Sequence, residues 1–347
     1  MFNSLGLEVL TAPQAAVWFA LALGVAFGAL AQITRFCLRR ALVGDARRQA
    51  AGVWLVALAA AVIGTQVAVA RGWITFADHR FLSPELPVAA ILAGGLMFGA
   101  GMVLTRGCIS RLTVLSGAGN LRAALVLVVF AITAHASLKG VLAPLRTTLA
   151  QATVPLESAV LPGGPVVWAG LIGALALAVA LRSGNRPVTL GLAGLLGLLV
   201  PLGWVGTGYV LYDDFDPIAM QSLSFTAPAA EGLFYTVAAT AISANFGAGL
   251  IGGVLVGALA AAVLSGRFRW QSFDSPRQTG RYMTGAVLMG AGGALAGGCT
   301  VGAGLAGVPT LSISALLALA AICTGALATD RLLRGTRAPG VTAMPAE

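Results

Sequence analysis

The chain has 347 residues, of which 58% are hydrophobic and 10% charged, with a mean hydropathy of +0.91 and a formal net charge of +9. Soluble domains carry about 25% charged residues, so this composition excludes a water-soluble globular protein. The surplus of positive charge does not indicate nucleic-acid binding either. Its arginines are spread through short loops between apolar runs and do not gather on one segment.

Apolar runs of about 20 residues recur along the chain, the length at which an α-helix crosses a bilayer. They predict spans over 14–34, 49–70, 88–107, 121–140, 164–181, 188–205, a broken one within 232–265, 282–298 and 312–330. The first run, Ala15 to Ile33, lacks a basic flank ahead of it and is long enough to span, so it reads as a membrane helix and not as a cleavable signal. The expected fold is an all-α polytopic membrane protein of about nine transmembrane helices with short broken or re-entrant pieces. It has one integral membrane domain, and 140–163 and 206–231 are read as loops with at most short interfacial helices, a dip of 206–231 into the membrane being the other solution.

Charge assigns the sides. Arg35, Arg39, Arg40, Arg47 and Arg48 mark a cytoplasmic loop, as do Arg182 with Arg186, Arg267 to Arg281, and Arg331, Arg334 and Arg337 after the last span. Loop 71–87 and the loop carrying Asp213, Asp214 and Asp216 then face outward. The N-terminus is placed outside and the C-terminus in the cytoplasm, in a cell inner membrane.

Two segments repeat each other: GGLMFGAGMVLTRGCISR, which carries Leu104-x-x-Gly107-Cys108, and GAVLMGAGGALAGGCTVGAG, which carries Leu295-x-x-Gly298-Cys299. Each is a glycine-spaced apolar run with a thiol at its break. By the charge assignment the first enters from outside and the second from the cytoplasm, as an inverted-topology duplication requires. The expected units are a first repeat over 14–140, a connecting hairpin and loops over 141–231, and a second repeat over 232–337.

A helix broken at membrane depth frees backbone N–H groups, which is tolerated only against protein or a polar cavity. A helix restarting there offers those donors and a positive dipole end to an anion. Cys108 and Cys299 with Gly107, Gly298 and Thr300 form the central candidate site. Cys37, among the arginines at the end of the first span, is a third candidate; the second-half counterpart, Ala244-Asn245-Phe246-Gly247, has no cysteine. Cys323 reads as packing in the last helix. Arg106 and Arg111 flank Cys108, and an arginine there either serves function at membrane depth or snorkels to the interface. Gln32, Thr105, Ser110 and Asn245 could line a polar path. The four cysteines form no CxxC pair and the two histidines, His79 and His135, are isolated, so neither metal nor other cofactor is expected.

At these residues the chain resembles the YeeE/YedE family of sulfur-transport membrane proteins. The matching elements are Arg35-Phe36-Cys37-Leu38-Arg39-Arg40-Ala41-Leu42, Arg106 to Arg111, Gly119 to Arg122, Asp213 to Pro228 and Gly297 to Gly307. The resemblance implies an inverted-repeat permease that takes up thiosulfate, with Cys108 and Cys299 at a constriction and Cys37 toward the cytoplasm. The substrate would pass between protonated thiols by hydrogen bonding, and a cytoplasmic sulfur-carrier protein is the candidate partner at the inner mouth. The alternatives are another sulfur or selenium species, or a membrane sulfurtransferase forming a cysteine persulfide. An enzyme needs a base beside its nucleophile, and neither cysteine has a histidine or carboxylate near it in sequence, so no enzyme is expected.

Overall fold

The computed structural model describes residues 10–213 and 215–335; Asp214 and Arg337, both used above for topology, lie outside the described residues. Thirteen α-helices are present among them: α1 (Ala12–Thr34), α2 (Leu38–Val43), α3 (Arg47–Ala70), α4 (Val88–Leu104), α5 (Ile109–Gly117), α6 (Leu121–Lys139), α7 (Ala143–Ala150), α8 (Pro165–Arg182), α9 (Pro187–Val205), α10 (Thr226–Ala238), α11 (Phe246–Leu264), α12 (Pro276–Leu295) and α13 (Ile313–Gly335). Among the described residues, nine stretches are long and apolar enough to cross a membrane, which makes this an all-α, multi-pass membrane protein. The only strands described are β1 (Glu85–Leu86) and β2 (Val154–Pro155), which pair antiparallel and tie two loops together.

Glycine decides which helices meet. A Cβ on Gly24, Gly28, Gly249, Gly253 or Gly257 would run into the backbone of the facing helix, so α1 and α11 lie backbone against backbone and run parallel. The same reasoning seats α4 against α12, antiparallel, through Gly94, Gly101, Gly285 and Gly292. The pairings are reciprocal: α1 with α11 and α3 with α9, α4 with α13 and α6 with α12, α2 with α3 and α10 with α11.

Hydrogen bonds between loops define the two ends of the bundle. At one, Arg269 and Gln271 donate to the carbonyls of Ala118 and Gly119, and Arg122 pairs with Asp274 at 3.3 Å. At the other, Leu161 donates to Leu311, Ile313 to Ala159 and Leu156 to Pro84, while Ser312 Oγ donates to the Phe81 carbonyl at 2.6 Å. The first end carries most of the arginines.

The region 206–265 departs from the expected outer loop, while the broken span within 232–265 is present as α10 and α11, interrupted at 239–245. After α9 a short π-helical turn, Gly206–Val210, leads into an extended stretch whose Leu223 and Phe225 are fully buried. The chain dips into the core there, returns as α10, and only then makes the full span α11. The acidic residues that head this stretch gave it the composition of a surface loop. Asn245, a candidate for a polar path, is the N-cap of α11: its Oδ1 accepts from the Ala248 N–H at 2.9 Å and its Nδ2 donates to Glu231 at 3.1 Å.

Candidate functional site

Three times the chain stops a helix inside the bundle and restarts one with a cysteine as its N-cap. Cys37 caps α2, Cys108 caps α5, and Cys299 caps the π-helical segment Thr300–Gly307. The residue two before each cysteine is left-handed: Arg35 at φ 54°, Arg106 at φ 58° and Gly297 at φ 73°. In the first two the next amide reaches back five residues, Phe36 N–H to the Ala31 carbonyl and Gly107 N–H to Met102, which is a Schellman closure. Thr105 completes the second break by donating to the Gly101 and Gly107 carbonyls at 2.9 Å each. An arginine at positive φ is strained by about 1 kcal/mol relative to glycine, so these closures set the chain's direction against local preference.

Cys37 and Cys108, far apart in sequence, come together: their thiols interact directly, and both are buried. Cys108 Sγ also lies 3.2 Å from Ser110 Oγ. Arg111, one turn into α5, reaches across to α1, where its Nη1 donates to Gln32 Oε1 at 3.2 Å and to the Ala31 carbonyl at 3.4 Å. That carbonyl belongs to the last turn of α1, the negative end of its dipole, which suits a cation. Arg40 Nη1 donates to the Arg35 carbonyl, and the buried Arg39 Nε has no protein partner. Among the described residues no carboxylate forms an ion pair with this arginine group. Arg106 is exposed at the surface, with no side-chain hydrogen bond or ion pair among the described residues, so the two arginines flanking Cys108 separate into one that reaches the thiol pair and one that does not.

Cys299 sits on the other side. Its Sγ accepts from the Gly302 N–H at 3.3 Å, and the Val301 and Phe225 amides and the Thr226 hydroxyl also face it. Ser224 lies against Gly302. The hydroxyl of Thr300 and the indole N–H of Trp204 are buried without a partner among the described residues. Buried polar atoms are almost always paired, so these orphans, one beside Cys299 in the chain and one in the wall of the cavity that reaches Gly302, mark places that a polar ligand or water satisfies.

Between Cys299 and the Cys37–Cys108 pair stands a row of rings. Phe225 packs on Phe27 with centroids 5.2 Å apart, and Phe27 packs edge-on to Phe36, the neighbour of Cys37, at 6.2 Å. Phe27 is fully buried. The three candidate thiols thus share one core, with Cys37 and Cys108 in contact and Cys299 beyond the rings. Gly107 and Gly298 serve the turns into the two caps. From Cys108, α5 runs to the arginine-rich end; from Cys299, the π-helical segment runs to the opposite end.

A cavity of about 1020 Å³ opens from that opposite end down to Gly302, with His79, Arg80, Trp204 and Ser222 in its wall. Burial, with repulsion from Arg80, lowers the His79 pKa from 6.5 to about 4, so the imidazole is neutral at physiological pH. His135, by contrast, stacks on Phe234 and packs. Cys323 is partly buried in α13, apart from the other three. Among the described residues no group of three or more His, Cys, Asp or Glu could hold a metal.

These features define a multi-pass membrane protein with three buried thiols at helix starts in its core. The model of the sulphur transport family matches the chain twice, over residues 26–190 and 181–328, and the chain belongs to that family. No curated protein matches it.

Proposed function

We propose that the protein takes thiosulfate into the cytoplasm, handing it between thiols through the core. The observation that carries this reading is the set of three cysteine-capped helix starts, two in contact and the third across the Phe27 ring, in a chain of the sulphur transport family. A bare dianion in the hydrocarbon core would be prohibitively unfavourable. Free N–H groups at the restarts and thiol donors replace its water, and a thiol binds weakly enough to release what it holds. The anion passes from the outer cavity to Cys299, past Phe27, to Cys108 and Cys37, and leaves among Arg111, Arg40 and Arg39. Thr300, with its free hydroxyl, serves the Cys299 stop; Arg106, Gly107 and Gly298 shape the breaks.

The arginine-rich end is then cytoplasmic by the positive-inside rule, with the N-terminus outside and the C-terminus inside, in the inner membrane. The two halves are inverted copies. The reciprocal helix pairings support this, with α1 answering to α9, α3 to α11, α4 to α12 and α6 to α13, which starts the second copy at α9 instead of within α10. A sulfur-carrier protein at the cytoplasmic mouth is the partner this reading implies.

The test is uptake of labelled thiosulfate into vesicles holding the pure protein, for wild type, Cys108→Ala, Cys299→Ala and, as a control, Cys323→Ala. Uptake should fall at least tenfold in the first two variants and stay unchanged in the third. Normal uptake in both site variants refutes the thiol path. Uptake of sulfite or selenite in place of thiosulfate keeps the path and changes its substrate, and a persulfide trapped on Cys108 or Cys299 during turnover favours a sulfurtransferase.

A further inference from the structure

We propose that Arg80 is the capture residue of the outer cavity, gripping the oxygens of the incoming dianion so that its terminal sulfur leads toward Cys299. The inference rests on the transport reading above and adds to it a residue and an orientation. Arg80 lines the same cavity as Gly302, whose amide donates to the Cys299 sulfur, so the cavity floor is one hydrogen bond away from the thiol. The guanidinium and the thiol are near enough to feel each other's charge.

The side chain is held in position before any ligand arrives. It projects from a single 3-10 turn, Arg80–Leu82, whose Phe81 carbonyl accepts from Ser312 Oγ at 2.6 Å and Ser314 Oγ at 3.1 Å. The Phe81 N–H donates to His79 Nδ1 at 3.3 Å, and the guanidinium lies over the Phe81 ring, 5.0 Å from its centroid. Yet the charge is not spent on protein. Asp78 and Glu231 line the same cavity, but neither forms an ion pair with Arg80, and Glu231 instead accepts from Asn245. A fixed guanidinium that faces a cavity and has no ion pair among the described residues is a receptor for an anion.

Its shape selects the end of the ligand that binds. Two parallel N–H groups match two oxygens of a sulfonyl group, as they do carboxylate or phosphate. The terminal sulfur of thiosulfate is a poorer partner for that fork and is left facing inward, where the next donor is a thiol. Neutral His79, whose Nδ1 accepts from the backbone, carries its proton on Nε2 and adds a donor without charge. Sulfate satisfies Arg80 equally but has no sulfur end to pass on, so it should block the cavity without crossing.

Two measurements on the full-length protein decide this. The first is labelled-thiosulfate uptake against concentration for wild type, Arg80→Gln and Arg80→Lys, each with and without sulfate. Arg80→Gln should raise the half-saturating concentration about tenfold, the usual worth of a charge-assisted bidentate contact, while the maximal rate stays within about twofold. Arg80→Lys should recover part of the loss, and competition by sulfate should vanish in Arg80→Gln. The second is equilibrium binding of labelled thiosulfate to the same pure proteins, which does not depend on transport. A half-saturating concentration and a binding constant in Arg80→Gln within twofold of wild type overturn the proposal. A wild type that binds but does not carry thiosulfate overturns the transport reading, with Arg80 then judged by binding alone; one that does neither overturns both.

Discussion

Replacing Gly292 with alanine tests whether the two cysteine-bearing helices owe their register to glycine. A Cβ at this position would lie 2.6 Å from the Gly94 carbonyl oxygen and 2.6 Å from the Phe98 amide of α4, all of them main-chain atoms. Neither can turn aside as a flexible side chain could. Restoring ordinary contact at 3.4 Å means parting α4 from α12 by about 0.8 Å at that point. Overpacking of this kind costs about 1–3 kcal/mol. The displacement falls between the breaks that carry Cys108 and Cys299, so it disturbs the path as well as the fold. Gly252 supplies the internal control, because a Cβ there meets nothing within 4 Å. Alanine at 252 should gain helix propensity, up to about 1 kcal/mol, and leave uptake alone. Thermal unfolding in detergent and uptake in vesicles, measured side by side, should show Gly292→Ala several degrees less stable and several-fold slower. If the two alanine variants behave alike in both assays, close backbone approach does not set the geometry of the site.

Two further outcomes follow from the same structure. His79 is neutral when folded and titrates near 6.5 when unfolded, so the unfolded chain binds the extra proton. Its contribution is complete above about pH 6.5 and lost as pH falls toward about 4, at most about 3 kcal/mol and less where cavity water screens it; His79→Gln should flatten that part of the stability-pH curve, and an unaltered curve refutes the assignment. Phe27→Ala removes a fully buried ring, which costs about 3–5 kcal/mol; nitrate efflux from loaded vesicles should rise as well, and vesicles as tight as wild type would show that the ring row is not a barrier.

The spans and the two Gly-Cys breaks were legible because their signals are local: unbroken apolar length, loop charge, and glycine at the end of a run. The partner of Cys37 was not legible. Its contact with Cys108 depends on α2 turning back into the bundle after a left-handed arginine, and nothing near either residue encodes the other. The dip at 211–225 was visible only as one of two solutions for that stretch, since a loop at the surface and a loop satisfied by buried partners have the same composition. Phe27 carries no pattern that separates it from any other apolar residue of α1. Arg80 counted only as one charge in a mixed outer loop, and its freedom from Asp78 shows only in three dimensions. Asn245 was visible as polar, but an N-cap and a lining residue look alike until the helix start is placed.

The glycine seams also limit how the molecule can move. α1 of the first half is seated on α11 of the second, and α3 on α9, with main chain in contact in both pairs. The two halves therefore cannot rock apart as separate bodies, because such a rotation would shear backbone against backbone. Any larger motion must instead run between groups of helices drawn from both halves, α1, α3, α8, α9 and α11 in one and α4, α6, α12 and α13 in the other, which meet through the short elements α2, α5 and α10.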